Sequence, residues 1–212
     1  MQFNIEQLLL YAVTDRAWTG RQTLLEQIEE ALAGGVTLLQ LREKALDPEA
    51  FLQEAVEACR LCHRYGVPLI INDNVEIAFQ SGADGVHVGQ EDMRARDVRA
   101  LVGDRLIVGV TAKTVEQALD AQRAGADYLG SGAVFGSTTK LNARPLSKEA
   151  LREICDAVEI PVVAIGGINR RNVLELEDTH IRGVAVVSGI FAAADIEQEC
   201  RALRNLVDRI VK

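Results

Sequence analysis

Three stretches of this chain share one pattern: ALAGGVTLLQ (31–40), FQSGADGVHVG (79–89) and AQRAGADYLGSG (121–132). Each starts at the end of an amphipathic run, passes through glycine, and enters a short aliphatic or β-branched run. Glycine takes the left-handed conformation that closes a helix, so the joint reads helix, stop, strand. Repeated along a chain, such joints mean helix–strand alternation, and strands joined by helical crossovers lie parallel. The repetition is of joints and not of a solenoid unit.

Working outward, eight strand-like runs appear: Leu9–Thr14, Thr37–Leu41, Pro68–Ile71, Gly85–Val88, Leu106–Val110, Asp127–Phe135, Val162–Ile165 and Val184–Val187. Helical runs lie between them at Thr23–Ala33, Pro48–Tyr65, Arg94–Val102, Val115–Ala124, Lys148–Ala157 and Arg171–Leu176, and Ile196–Val211 closes the chain. Gly34, Gly66, Gly82, Gly103 and Gly125 are the expected helix stops. Asp47 before Pro48, and Ser147, are the expected helix caps. Eight units in 212 residues predict an α/β fold, a (β/α)8 TIM barrel forming one domain over 1–212.

Composition narrows the function. The net charge is −8, which disfavours nucleic acid as a partner because phosphate backbones need a basic footprint. No apolar run reaches the ~20 residues of a membrane span, and Met1–Gln7 lacks a secretory pattern. Four cysteines in helix-like stretches suit reduced thiols and a cytoplasmic location. The sequence leaves oligomerisation open.

In this fold the working residues sit at the C-terminal strand ends. The second strand ends in Gln40-Leu41-Arg42-Glu43-Lys44. Alternation sets Gln40, Arg42 and Lys44 on one face, toward the mouth, and Leu41 and Glu43 on the other. Such a trio suits a phosphate or diphosphate. The third and fourth strands end in Asn72-Asp73 and in Gly89-Gln90-Glu91-Asp92. Asp73 and Asp92 on neighbouring strands can share a magnesium ion with diphosphate oxygens; each could equally cap a helix. Thr111 can donate to a ligand oxygen. The polar segment Gly136-Ser137-Thr138-Thr139-Lys140 has the composition of a lid. Gly166-Gly167 and Val187-Ser188-Gly189 end the seventh and eighth strands, where barrel enzymes often bind phosphate through backbone N–H groups. Two anion sites across one mouth call for two phosphorylated substrates, or one substrate with phosphates at both ends.

Other residues have plainer readings. Phe51, Ala55, Cys59 and Cys62 share a helix face and read as packing rather than redox or zinc chemistry. His63 and His180 read as surface or helix-end residues. His87 reads first as a packed core histidine, although its parity also lets it face the barrel. Trp18 could pack over an aromatic ligand or simply lie on the surface.

Taken together, YAVTD (11–15), QLREK (40–44), IND (71–73), GVHVGQED (85–92), GVTAKT (109–114), GSGAVFGSTTK (130–140), AIGGI (164–168) and VSGI (187–190) resemble the thiamine phosphate synthase family over nearly the whole chain. The resemblance implies a Mg2+-dependent transferase. It joins a hydroxymethylpyrimidine diphosphate to a (carboxy)thiazole phosphate by dissociative substitution. By the same resemblance, Gln40, Arg42, Lys44, Asn72 and Lys140 hold the pyrimidine diphosphate. Asp73 and Asp92 bind magnesium, Thr111 lies by the pyrimidine, and Ser137, Thr139, Gly167, Val187 and Ser188 hold the thiazole phosphate. Arg42, Thr111 and Lys140 are the residues expected to carry the chemistry.

Two positions depart from the family pattern: Gly136-Ser137 where Pro-Thr is common, and Lys113 where histidine is common. A thiazole tautomerase-like paralogue would lack much of the diphosphate set and use that histidine. A catalytically silent phosphate-binding barrel is the remaining alternative.

Overall fold

The computed structural model describes residues 3–20, 22–90, 95–136 and 145–211. Eight parallel strands close into a barrel in chain order. They are β1 (Leu10–Val13), β2 (Leu38–Leu41), β3 (Leu69–Asn72), β4 (Gly85–Val88), β5 (Ile107–Thr111), β6 (Tyr128–Gly132), β7 (Val162–Ile165) and β8 (Gly183–Val186). Closure is made by β1 against β8, with Tyr11 opposite Ala185. The α/β barrel read from the joints is therefore the observed fold.

The helices are α1 (Leu24–Ala33), α2 (Pro48–Arg64), α3 (Val75–Ser81), α4 (Ala95–Val102), α5 (Val115–Arg123), α6 (Lys148–Ala157), α7 (Ser188–Phe191) and α8 (Ile196–Ile210). Their starts follow from local chemistry. Asp47 and Ser147 accept the backbone N–H of Ala50 and Ala150, as expected of caps, and Thr23 and Thr114 cap α1 and α5.

Four of the five glycine stops take positive φ: Gly66, Gly82, Gly103 and Gly125. Gly34 does not. Its φ is −77°, and the left-handed residue is Gly35 at 92°. Gly34 is small for another reason: a Cβ there would come within 2.5 Å of Cys200 Cβ and 2.6 Å of the Glu197 carbonyl on α8. The second correction lies between β7 and β8. The helix expected at Arg171–Leu176 is a 3-10 segment, Val173–Thr179, kinked at Asp178. The Asn169 and Asn172 turn takes up the chain before it, with Asn169 N–H donating to Asn172 Oδ1 at 2.9 Å.

Strand alternation separates two cores. Leu39, Leu41, Ile71 and Val86 point outward under the helices, in one large apolar cluster. Tyr11, Val13, Leu38, Ile70, Ile107, Tyr128 and Val163 fill the barrel interior. The turn Ile5–Leu8 crosses the bottom of the barrel. There Leu8 is buried in the inner core and the Phe3 ring stacks on Tyr128, with centroids 6.0 Å apart. The N-terminal face is thus plugged, and the interior opens only toward the C-terminal strand ends.

Candidate active site at the barrel mouth

A cavity opens at those strand ends. Its walls include Tyr11, Gln40, Arg42, Asn72, His87 and Thr111 on one side, with Gly166, Gly167, Val187 and Ser188 on the other. Seven residues singled out in the sequence therefore converge: Gln40, Arg42, Asn72, Thr111, Gly167, Val187 and Ser188.

The parity expectation at β2 holds for Leu41, which joins the outer core, and for Gln40 and Arg42, which line the cavity. Lys44 instead sits on the rim. Its Nζ donates to Asp73 Oδ2 at 2.6 Å, and the Asn72 amide donates to the same oxygen at 2.5 Å. Asp73 has φ 63°, an uncommon conformation for a residue with a Cβ. Such strain tends to persist where surrounding structure fixes a functional group.

Arg42 is anchored at its backbone, whose N–H donates to Thr14 Oγ1 at 2.9 Å, and its guanidinium lies 3.8 Å from Asp15. Glu43, assigned by parity to the opposite face, accepts the backbone N–H groups of Lys44 and Ala45, both at 2.7 Å, and pairs with Arg16 at 2.6 Å. Burial alone would push its carboxyl up. The Ala45, Arg16 and Lys44 hydrogen bonds more than offset this and hold it below the usual carboxylate range. Glu43 thereby shapes the loop that carries Arg42 and Lys44.

On the far wall, Gly166 and Gly167 take φ 102° and 69°. The chain leaving β6 runs directly against them, with Phe135 N–H donating to the Gly166 carbonyl at 3.0 Å. A Cβ on Gly167 would come within 2.5 Å of the Phe135 carbonyl. The Gly-Gly pair is required by this backbone approach whether or not a phosphate binds there. β6 ends at Gly132, short of the expected Phe135.

The floor of the cavity differs from the sequence expectation of a packed core histidine. His87 faces the cavity, with Nδ1 3.1 Å from the Tyr128 hydroxyl and Nε2 3.0 Å from Thr111 Oγ1. Tyr11 and Tyr128 belong to the same floor, with their hydroxyls 2.8 Å apart. The available signal was Gly109 and Gly130, two strand glycines where a side chain would collide with Tyr128 or crowd His87. Lys113 also lines the cavity. Trp18 is not among the cavity residues and is 38% exposed. Cys59 and Cys62 are buried, and His63 and His180 lie at element ends on the surface, as expected. Asp92, Ser137, Thr139 and Lys140 lie outside the described residues.

The donor set bears on the metal. Among the described residues no group of three or more His, Cys, Asp or Glu could hold an ion. Asp73 supplies a hard carboxylate at the rim, beside cationic Lys44. One or two carboxylates that share Mg2+ with substrate phosphates and water is the usual arrangement. Among the described residues, Asp73 with Lys44 beside it suits an ion shared with a diphosphate rather than a prebuilt protein cage. No helix among the described residues is long and apolar enough to cross a membrane.

The chain is similar to known proteins over most of its length. A family model described as thiamine monophosphate synthase matches residues 10–190. A thiamine-phosphate synthase of Ruminiclostridium cellulolyticum is 49% identical over 93% of this chain and 94% of its own. A chloroplastic thiamine biosynthetic bifunctional enzyme of Arabidopsis thaliana is 44% identical over 93% of this chain but 38% of its own length. Among solved structures, a thiamine phosphate pyrophosphorylase from Pyrococcus furiosus superposes with a TM-score of 0.91 at 36% identity, covering 98% of this chain and 99% of that one.

Proposed function

Because the chain belongs to the thiamine monophosphate synthase family, whose members transfer a pyrimidinylmethyl group, we propose that its mouth joins a hydroxymethylpyrimidine diphosphate to a thiazole phosphate. The observation that carries this reading is a single cavity. Gln40, Arg42, Asn72 and Thr111 line one side of it, and Gly167, Val187 and Ser188 line the other.

Each half has a task. The C–O bond between the pyrimidine methylene and the diphosphate breaks, and its electron pair leaves with the diphosphate. The thiazole nitrogen lone pair forms the new C–N bond. No proton need move. Arg42 and Lys44 face the departing charge; contacts that strengthen as charge develops lower the barrier. Asp73 and Asp92 would hold Mg2+, which when bound would neutralise leaving-group charge. Lys140, from a lid-like segment, would complete the diphosphate side. Ser137, Thr139, Gly167, Val187 and Ser188 would hold the thiazole phosphate, and Asn72 and Thr111 the pyrimidine. The dissociative character follows from an aminopyrimidine able to stabilise a methylene cation.

The same reading takes 1–212 as one barrel domain in the cytoplasm. The four cysteines, all free thiols, suit a reducing compartment. The test is diphosphate release with both substrates and Mg2+ present. Turnover that needs all three supports the proposal. Release from the pyrimidine diphosphate that ignores the thiazole phosphate, or none at all, overturns it.

A further inference from the structure

A continuous file of side-chain hydrogen bonds runs under the mouth. Gln40 Nε2 donates to the Tyr11 hydroxyl at 2.5 Å, which lies 2.8 Å from the Tyr128 hydroxyl. That hydroxyl is 3.1 Å from His87 Nδ1, and His87 Nε2 is 3.0 Å from Thr111 Oγ1. Gln40, Tyr11 and Tyr128 are buried. The two ends, Gln40 on β2 and Thr111 on β5, both line the cavity. Gly109 and Gly130 leave the space that the Tyr128 and His87 rings occupy.

The Gln40 amide, with Nε2 on the Tyr11 hydroxyl, gives the file a direction, because each hydroxyl has one proton to pass on. Burial pushes both phenols well above the ordinary tyrosine range, so each keeps its proton. A buried O–H left without an acceptor costs about 1–3 kcal/mol, so each hydroxyl must donate onward. Gln40 donates to Tyr11. Tyr11 then donates to Tyr128, and Tyr128 to His87 Nδ1. Nδ1 is an acceptor, the ring proton sits on Nε2, and Nε2 donates to Thr111.

We propose that Gln40, Tyr11, Tyr128, His87 and Thr111 form a one-way relay that fixes the neutral Nε2–H tautomer of His87. The relay thereby sets what its ends offer a ligand. Gln40, its amide N–H committed to Tyr11, offers the Oε1 acceptor. Thr111, its oxygen accepting from His87, offers its O–H. A heteroaromatic ring with an amine beside a ring nitrogen requires that pair, an acceptor for the amine and a donor for the nitrogen. His87 is here a positioning residue that acts through Thr111. The choice of ligand rests on the pyrimidine reading above; the direction of the relay does not.

The two parts separate in the test. Ring 15N spectra of the unliganded protein at neutral pH report the tautomer, and His87→Gln identifies the signals among the three histidines. The expected wild-type spectrum has Nε2 protonated and Nδ1 bare. In Tyr128→Phe the Nδ1 signal should lose its hydrogen-bonded position, with the melting temperature showing that the fold is kept. A wild-type His87 protonated on Nδ1, or on both nitrogens, overturns the relay whatever the substrate is. So does a Tyr128→Phe spectrum that matches the wild type.

For the ligand, Tyr128→Phe and Thr111→Val should raise KM for the pyrimidine diphosphate roughly five- to tenfold, the scale of one net hydrogen bond. KM for the thiazole phosphate should not change, and Thr111→Ser should restore the wild-type value. An equal rise in both KM values, or no rescue by serine, overturns the assigned ends. Wild-type protein with the expected tautomer but no diphosphate release would instead sink the pyrimidine reading and leave the relay standing.

Discussion

Lys44 Nζ donates to Asp73 Oδ2 at 2.6 Å, joining the end of β2 to the end of β3 across the rim of the mouth. The pair stores a cation and a carboxylate where a diphosphate with its metal would arrive. Both are partly exposed, at 55% and 26% of their side chains, so the pair itself adds little stability. Exchange of partners is the expected event on binding. Lys44→Met should raise KM for the pyrimidine diphosphate with little change in melting temperature. Asp73→Asn should remove most turnover, and added Mg2+ should not restore it. Activity in chelator equal to activity in Mg2+ would end the metal assignment.

The two walls should fail differently. A charge-assisted hydrogen bond contributes about 1.5–3 kcal/mol, and one that strengthens as the diphosphate departs acts on the chemical step. Arg42→Ala should therefore lower kcat by about tenfold to a hundredfold. The phosphate proposed at Ser188 is remote from the reacting nitrogen, so Ser188→Ala should raise KM for the thiazole phosphate severalfold and leave kcat nearly unchanged. Steady-state kinetics with each substrate varied in turn distinguish these outcomes. A Ser188→Ala effect confined to the pyrimidine diphosphate would reverse the assignment.

Gly109 should tolerate no side chain. An alanine Cβ there would collide with the Tyr128 ring and its hydroxyl and come within 2.5 Å of His87 Nδ1. Overpacking of this kind costs about 1–3 kcal/mol. Gly109→Ala should lower the melting temperature and weaken pyrimidine diphosphate binding together. Gly20→Ala, where nothing lies within 4 Å of the added atom, should do neither.

Glu43 gives a pH prediction with a definite sign. Its folded-state carboxyl sits below the ordinary range. Its stabilising contribution is therefore present above the unfolded pKa of about 4.3 and is lost as pH falls through the folded value. Glu43→Gln should melt earlier than wild type at pH 7, and the gap should shrink on acidification from pH 5 downward. A gap that is constant with pH would mean that the charge on Glu43 does not hold the loop.

The cysteines should be inert in the native state. Burial pushes Cys59 up to about 11 and Cys155 and Cys200 up to about 12, with nearby carboxylates adding to the shift. Thiolate, the reactive form, is then scarce at pH 8. Thiol reagents should label the folded enzyme slowly and the unfolded chain fast. Fast native labelling of one cysteine would show that its helix opens.

Whatever spacing within one element encodes was legible in the residues alone. Asp47, Ser147 and Thr114 cap helices because their oxygens reach an N–H three residues on. Gly66, Gly82 and Gly125 stop helices because positive φ is local, and Gln40 and Leu41 take opposite faces of β2 because strands alternate. What crosses the barrel was settled by closure of the fold. Tyr11 and Tyr128 are 117 residues apart and share a hydrogen bond because closure puts β1 and β6 around one interior. His87 became part of the mouth because Gly109 on the neighbouring strand left room for it. Gly34 owes its size to α8, more than 160 positions away. No periodicity records such meetings, because they depend on which strands and helices become neighbours once the barrel closes, and a residue's own segment carries no trace of that choice.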